Sequence, residues 1–401
     1  MKNKRVVVTG LGVVSSIGIG KEEFWKNLIQ GKSGISKVDA FDTTEHNRHL
    51  GGQVKNFKPQ EFLDKRKVKL MARASHLAIA ATRLALEDAG ISLKKFGTEK
   101  VAALFGTTGG EAQEIEKMDS IWVKKGTDAV DLWSIIQYPV NNISSNVAME
   151  FKIKGVNRMF TTACAAGNYA IGCGFDLIQL GKADMAIAGG SDAFSYLSFT
   201  GFNQVGAMAP EICQPFDKNR KGMLVGEGAG VLTLEALESA LERKAPIYAE
   251  ILGYGLSCDA FHMTNPQPSG VSQCMRSALK NTGISPEEVD FICAHGTGTR
   301  HNDKTESTAI NEVFGKKRVA VNSIKSMLGH TMGAASAIEA ITCCLTVKDD
   351  IIAPTINFQA PDPECDIDCV PNTARKQKVN IALNNAFAFG GNNSCLVIKK
   401  Y

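Results

Sequence analysis

Cys164 stands in Thr161-Thr162-Ala163-Cys164-Ala165-Ala166-Gly167, a run of small residues ahead of a helical pattern over 168–180. Small neighbours at a helix start leave a thiol accessible and facing unpaired backbone N–H groups, which is how a nucleophile is presented. A free thiol of pKa near 8.5 is only about 3% ionised at neutral pH, and a helix N-terminus stabilises an anion by up to about 2 kcal/mol. At about 1.36 kcal/mol per pKa unit, that brings the thiol close to half ionised. The spacing therefore predicts an activated Cys164 rather than a buried cysteine acting as a small hydrophobe. His295 ends an apolar run in Ala294-His295-Gly296-Thr297-Gly298-Thr299, where the glycines leave its ring accessible. His330, in Gly329-His330-Thr331-Met332-Gly333, precedes a helical pattern over 334–347, with Lys325 five residues before it. A helix N-terminus disfavours imidazolium, so His330 is expected to be neutral. A presented cysteine, two histidines in glycine turns and a lysine point together to nucleophilic catalysis with nearby hydrogen-bond donors.

The elements that must position these residues are legible as alternating apolar runs and helical patterns, the signature of α/β layers. Val6-Val7-Val8 is read as a strand ending at Thr9-Gly10, and 101–105, 185–188 and 291–294 likewise run into glycine or small polar residues. Their continuous apolarity marks strands buried on both faces. Leu70, Ala74, Leu77, Ala81, Leu84 and Ala85 follow helical spacing over 69–89, with Gly90 as the stop. A faint duplication relates the two reactive segments: Gly167 lies three residues after Cys164, as Gly333 does after His330, and Asp184 and Asp350 share an offset of twenty. Two similar halves are expected, 1–248 carrying the cysteine and 249–401 carrying both histidines, with corresponding helix starts meeting at one site.

The glycine turns are not phosphate cradles. Gly10-Leu11-Gly12-Val13-Val14-Ser15 lacks the third glycine of a dinucleotide loop, and 106–111 lacks a P-loop Lys-Ser/Thr. No His-Glu-x-x-His or Gly-x-Ser-x-Gly occurs. The 401 residues are 44% hydrophobic and 21% charged, a globular composition with material for a large core. A net charge of +4 is too small to imply nucleic acid. Eleven cysteines without disulfide-framework spacing suit a reducing compartment, and Cys365 and Cys369 form a lone C-x3-C without a second pair, a poor zinc site. No stretch has the length of a membrane span and Val6–Val8 is far too short for a signal core, so a cytoplasmic protein is expected.

With these motifs in place, the chain resembles the β-ketoacyl-acyl-carrier-protein synthases, the condensing enzymes of the thiolase superfamily. Cys164, His295, and Lys325 with His330 match the family's nucleophile and decarboxylation motifs in order and spacing, and the likeness extends through Pro215-Phe216-Asp217 to Arg220, Gly226-Glu227-Gly228-Ala229-Gly230 and Phe387-Ala388-Phe389-Gly390-Gly391. The resemblance implies a thiolase-like fold of two α/β halves in an α-β-α-β-α core. It implies that Cys164 accepts an acyl group from a carrier-protein thioester and that His295 and His330 hold the malonyl carbonyl while carbon dioxide leaves. The carbanion then attacks acyl-Cys164 and lengthens the chain by two carbons. Cys164 and Phe389 would supply the backbone N–H groups of an oxyanion hole, each such donor worth about 2.7–4 kcal/mol, in a gating loop with Phe387 and Gly390. Lys325 would polarise the histidines with Glu339 as charge partner, and Asp303 and Glu306 would support the site, the alternative being a solvated acidic first turn. No metal and no cofactor is implied, the carrier's phosphopantetheine belonging to the substrate; homodimerisation is.

Departures from the pattern fall at the late loop, where Ala386, Ala388 and Asn392 replace a serine, a glycine and a threonine. Gate motion and substrate choice are expected to differ, and Ala388 to have fewer backbone options than glycine. Thr108 and Glu111 are candidate acyl-pocket positions, with an exposed loop carboxylate as the simpler reading of Glu111. Lys65, Arg66, Lys67, Lys69 and Arg73 form a basic cluster expected to receive the acidic carrier protein at the entrance. The reading is an elongating synthase of fatty acid biosynthesis. Its rivals are a specialised polyketide or polyene ketosynthase and, against the intact Cys164, a noncatalytic chain-length partner; a thiolase is disfavoured by the two histidines.

Overall fold

The computed structural model describes residues 4–93 and 97–401. An 11-stranded mixed sheet dominates it. Its main strands are β1 (Val6–Ser15), β2 (Val101–Gly106), β3 (Asn157–Phe160), β4 (Met185–Asp192), β5 (Gly228–Ala236), β6 (Ala249–Cys258), β7 (Phe291–Cys293), β8 (Ala320–Asn322), β9 (Ile381–Phe387) and β10 (Asn392–Lys399). They run in the order β8-β7-β9-β10-β6-β1-β5-β4-β2-β3. The order contains one motif twice. β3, β2 and β4 are parallel, followed by antiparallel β5 and β1; β8, β7 and β9 are parallel, followed by antiparallel β10 and β6. Val6–Val8 of β1 pairs antiparallel with 249–251 of β6 and joins the halves.

Helices complete the layers. The ones that matter for the site are α1 (Arg73–Asp88), α2 (Ala112–Lys125), α3 (Leu132–Gln137), α4 (Ala166–Gln179), α5 (Pro268–Thr282), α6 (Arg300–Phe314) and α7 (Ala335–Asp349). α4 and α7 pack on each other and each touches strands of both halves, whereas α1 covers the outer face of the first half and α5 that of the second. The result is α-β-α-β-α, with α4 and α7 buried between the two sheet halves. Burial on all sides explains why α4 tolerates three glycines in Ala-Gly-Asn-Tyr-Ala-Ile-Gly-Cys-Gly-Phe-Asp-Leu-Ile-Gln: packing overrides helix propensity.

β1 is longer than its apolar triplet predicts. It continues through Thr9 and Gly10 to Ser15, wholly buried. Gly10 and Gly12 are therefore not turn residues but points of close approach. A Cβ on Gly10 would lie 2.1 Å from the carbonyl oxygen of Ala85, and one on Gly12 would lie 1.8 Å from that of Ala81. α1 begins four residues later than its pattern, at Arg73, because Ala72 is extended, and Leu70 is left exposed.

The duplication is real but its register differs from the sequence pairing. Ala163 (φ 47°) and Met332 (φ 55°) are both left-handed, each starts a short 3-10 turn, and each turn leads directly into a central helix. Cys164 is thus the counterpart of Gly333, not of His330. The shared offset of Asp184 and Asp350 reflects no structural correspondence.

Candidate active site

The turn ahead of α4 brings Cys164 to the floor of a cavity of about 570 Å³ that opens to solvent. The thiol is 8% exposed and packed by Ala165, Ala386 and Ala388. Burial pushes it up to about 12, with the Lys325 charge pulling less strongly the other way. The sequence expectation of a half-ionised thiol is corrected here. A helix end stabilises the thiolate by about 2 kcal/mol at most, whereas desolvation reaches several pKa units for a fully buried group.

His330 reaches Cys164 from outside the equivalent turn. Its N–H donates to Leu224 O at 2.6 Å and its carbonyl accepts from Gly226 N at 2.8 Å, so the backbone is stapled to the loop ahead of β5. Its Nδ1 accepts from Met332 N at 3.2 Å, which assigns the ring proton to Nε2, 3.0 Å from Cys164 Sγ. His295 follows the same logic: Lys325 Nζ can only donate, it lies 3.4 Å from His295 Nδ1, and the proton belongs on Nε2. The two rings meet edge to face with centroids 5.3 Å apart. Both imidazoles are held well below their ordinary pKa, first by burial and then by the Lys325 charge. His330 is neutral, as its position predicts, but burial is the main cause.

Lys325 is 1% exposed and ion-paired with Glu339 of α7, whose carboxyl burial raises to about 7 against the pull of the lysine. Glu306 accepts the N–H groups of His295 (2.8 Å) and Gly296 (2.7 Å), and Asp303 accepts those of Phe216 (2.8 Å) and Gly298 (3.2 Å). Both acids are fully buried in the first two turns of α6, so they are not a solvated helix start; they clamp the backbone of the His295 turn.

The late loop closes one wall. Phe387 sets its ring 6.0 Å from His295, and Phe389, 43% exposed, stands at the lip 6.0 Å from the Phe202 ring. Gly390 N donates to Met263 O at 2.8 Å, tying this loop to the opposite rim. Ala388 is extended (φ −116°), a conformation open to alanine as to glycine.

Other predicted residues lie elsewhere. Thr108 and Glu111 do not line the cavity. The Thr108 N–H donates to Asp192, and Glu111 is not an exposed loop carboxylate: it accepts the N–H groups of Ala74 (3.1 Å) and Ser75 (2.8 Å), supplying the cap that Ala72 cannot give α1. Arg73 is drawn to buried Glu227 at 2.6 Å and Lys67 to Glu150 at 2.6 Å. Of the basic cluster, Lys65, Arg66 and Lys69 remain exposed, and none lines the cavity. The exposed lysine and arginine that do reach its rim are Lys221 and Arg300, with His301 beside them; sequence reading passed over them although Arg300-His301 directly follows the His295 motif. Asp192 was also missed; an acid closing the buried Gly189-Gly190-Ser191 strand end was the available signal.

Among the described residues, the side chains of metal-ligating type that converge are Cys164, His295 and His330, with ligating atoms within 4.8 Å of one another. Their chemistry does not fit a cation. Each Nδ1 is used as an acceptor, so each Nε2 presents a proton rather than a lone pair, and Lys325 adds positive charge beside them. The arrangement is a pair of aimed N–H donors over a thiol.

The family description "Beta-ketoacyl synthase, N-terminal domain" matches residues 3–240, and "Beta-ketoacyl synthase, C-terminal domain" matches residues 248–359. The chain belongs to the β-ketoacyl synthase family. Along their whole lengths, this synthase is 40% identical to a 3-oxoacyl-acyl-carrier-protein synthase 2 of Synechocystis sp. (100% of this chain, 99% of the relative) and 38% identical to one of Staphylococcus aureus (100% and 99%). Among solved structures it is similar to the ishigamide ketosynthase/chain length factor, with TM-score 0.97, 44% identity and both chains covered completely. A type II polyketide ketosynthase in complex with its acyl-carrier protein matches with TM-score 0.91 and 33% identity over 100% of each chain. The fold is therefore the thiolase-like ketosynthase fold, and the synthase is an acyltransferase of the condensing type.

Proposed function

We propose that this synthase elongates acyl chains by decarboxylative Claisen condensation in fatty acid biosynthesis, with Cys164 as the acyl carrier and His295 and His330 as the enolate holders. The observation that carries the reading is the convergence of two neutral Nε2–H donors on the space above Cys164 Sγ. In the first half-reaction the Cys164 sulfur forms a bond to the acyl carbon, the carrier's S–C bond breaks, and the thiol proton leaves with the carrier thiol. In the second, the C–C bond to the malonyl carboxylate breaks, carbon dioxide departs, and the electron pair moves onto the thioester oxygen. Two N–H donors pre-aimed where that charge develops lower the barrier without reorganising. The enolate carbon attacks the acyl-Cys164 carbonyl, and collapse of the adduct returns the sulfur as leaving group and the elongated 3-oxoacyl thioester. Each neutral imidazole already presents an Nε2–H while its Nδ1 lone pair is engaged, so the donors face the enolate without any change of protonation.

An acyl-carrier protein is the partner this chemistry requires. The rim cations Lys221 and Arg300, which form no ion pair among the described residues, favour that mouth as its docking point over the Lys65 cluster. A second ketosynthase-fold chain is proposed to cover the exposed apolar residues Trp122, Val123, Leu132, Trp133, Ile135 and Ile136 of α2 and α3. The two helices touch each other, and large apolar side chains exposed on neighbouring elements mark an interface. No helix among the described residues is long and apolar enough to cross a membrane.

A specialised polyketide role is the second reading. It is favoured by Ala386 and Ala388, which form an apolar collar against Cys164 where the family pattern has serine and glycine, and by the likeness to a ketosynthase/chain length factor structure. Mass spectrometry of Cys164 after incubation with saturated, polyunsaturated and aromatic acyl-carrier proteins separates the two. Saturated adducts support elongation, and exclusive polyunsaturated or aromatic adducts support the specialised role. An adduct that persists in Cys164→Ala would remove Cys164 as the acceptor.

A further inference from the structure

Asp192 closes β4 in the first half and is 2% exposed. Its carboxylate collects four hydrogen bonds. Oδ1 accepts from Thr107 Oγ1 at 2.7 Å and Gly109 N at 2.8 Å, and Oδ2 accepts from Thr108 N at 2.8 Å and Gly333 N at 2.7 Å. The first three donors belong to the loop after β2, and the fourth belongs to the turn of the second half that carries Met332 and His330. Met332 N is the donor that fixes His330 Nδ1, so one carboxylate secures both the loop and the turn that orients the imidazole. The backbone hydrogen bonds of His330, to Leu224 and Gly226, do not set the ring, and its remaining ring contacts are with Cys164 and His295, the groups it must be aimed at.

We propose that Asp192 is a positioning residue of the condensation site: it locks the turn 330–333 to the loop 107–109, aims His330 Nε2–H over Cys164, and places a negative charge beside the thiol. This rests on the condensing-enzyme reading for its kinetic consequence but not for its effect on the thiol. The carboxyl is raised to about 6 by burial against its four hydrogen bonds, and is therefore ionised at pH 7–8. Its charge is among the influences that raise the Cys164 thiol. The other charged or titratable groups facing Cys164 are His330, His295, Lys325 and Glu339.

In Asp192→Asn an amide NH₂ must replace one oxygen, and it then faces two hydrogen-bond donors whichever way it is turned. Either the loop or the turn is released. The expected result is a fall in the malonyl decarboxylation kcat on the order of 10²-fold, the scale of an ångström-sized misplacement, with KM little changed and with a smaller loss in acyl loading. In the same protein, with no acyl substrate present, the pH midpoint of Cys164 alkylation by iodoacetamide should move to lower pH, because the charge opposing thiolate is gone. Thr107→Val removes one donor and leaves the charge, so it should slow decarboxylation without lowering the alkylation midpoint; it carries the test if Asp192→Asn does not fold. Folded Asp192→Asn with wild-type decarboxylation and alkylation would overturn the proposal. So would equal losses in loading and decarboxylation with an unmoved alkylation midpoint, the signature of a purely structural acid. A shifted midpoint in a protein that never decarboxylates malonyl thioesters would instead reject the condensing reading while keeping the charge effect.

Discussion

A sulfur that must be acylated and a pair of imidazoles that must stay neutral place opposite demands on one small volume, and burial serves the second at the expense of the first. Desolvation holds both histidines neutral and also keeps Cys164 protonated. The tautomers then divide the labour. Because each Nδ1 accepts a hydrogen bond, each Nε2 can only donate, so His330 can stabilise a thiolate or an enolate but cannot accept the Cys164 proton at Nε2. His295→Ala and His330→Ala should therefore suppress malonyl decarboxylation by about 10²–10³-fold, the value of one aimed donor, and loading of Cys164 by much less. Decarboxylation is read as carbon dioxide release, and loading by intact-protein mass spectrometry. Equal suppression of both steps in folded variants would make the histidines activators of the thiol.

The elements around the site are paired by duplication, and the pairing explains which ends meet. Parallel strands β2 and β4 in the first half and β7 and β9 in the second point their C-terminal ends toward the starts of α4 and α7. Left-handed Ala163 and Met332 turn the chain sharply there. Such residues cost about 1–2 kcal/mol each, retained where they aim Cys164 and the turn below His330. On the opposite flank β3 is the terminal strand of the sheet, and α2 and α3 expose an apolar face with Trp133 at 51% and Leu132 at 67% exposure. If that face meets a second ketosynthase-fold chain, Trp133→Glu should bury a charge in the contact and lower the assembly to a single chain in sedimentation velocity. An unchanged sedimentation coefficient for the variant, at a concentration where the wild type is dimeric, would place the contact elsewhere.

At the scale of the molecule, charge decides how a partner approaches. The net +4 is small, but Lys221 and Arg300, with no ion pair among the described residues, lie on the cavity rim while the exposed Lys65 cluster lies off it. Charge reversal by Lys221→Glu with Arg300→Glu should raise the KM for acyl-carrier protein several-fold and flatten its dependence on salt, since rim charges act chiefly on association and are screened over about 8–10 Å. Turnover at saturation and use of a small pantetheine thioester should change little. If the same loss follows reversal of Lys65, Arg66 and Lys69 instead, docking belongs to that helix and not to the rim.

Much of this was legible in the residues themselves. The motifs around Cys164, His295 and His330, the layered α/β pattern and the two-half organisation all depend on local spacing, which survives in a linear string. The tertiary structure decided what depends on neighbours remote in sequence. The collar of Ala386 and Ala388 reverses the expected ionisation of Cys164; Gly10 and Gly12 are contacts with α1, not turns. Glu111 caps a helix that begins thirty-eight residues before it, and Arg73 leaves the basic cluster for Glu227. Asp192 gathers donors from residues 107–109 and 333, a convergence that no local pattern encodes. Hydrogen bonding, desolvation and close approach are set by distance in space, and only the packed halves bring those distances into being.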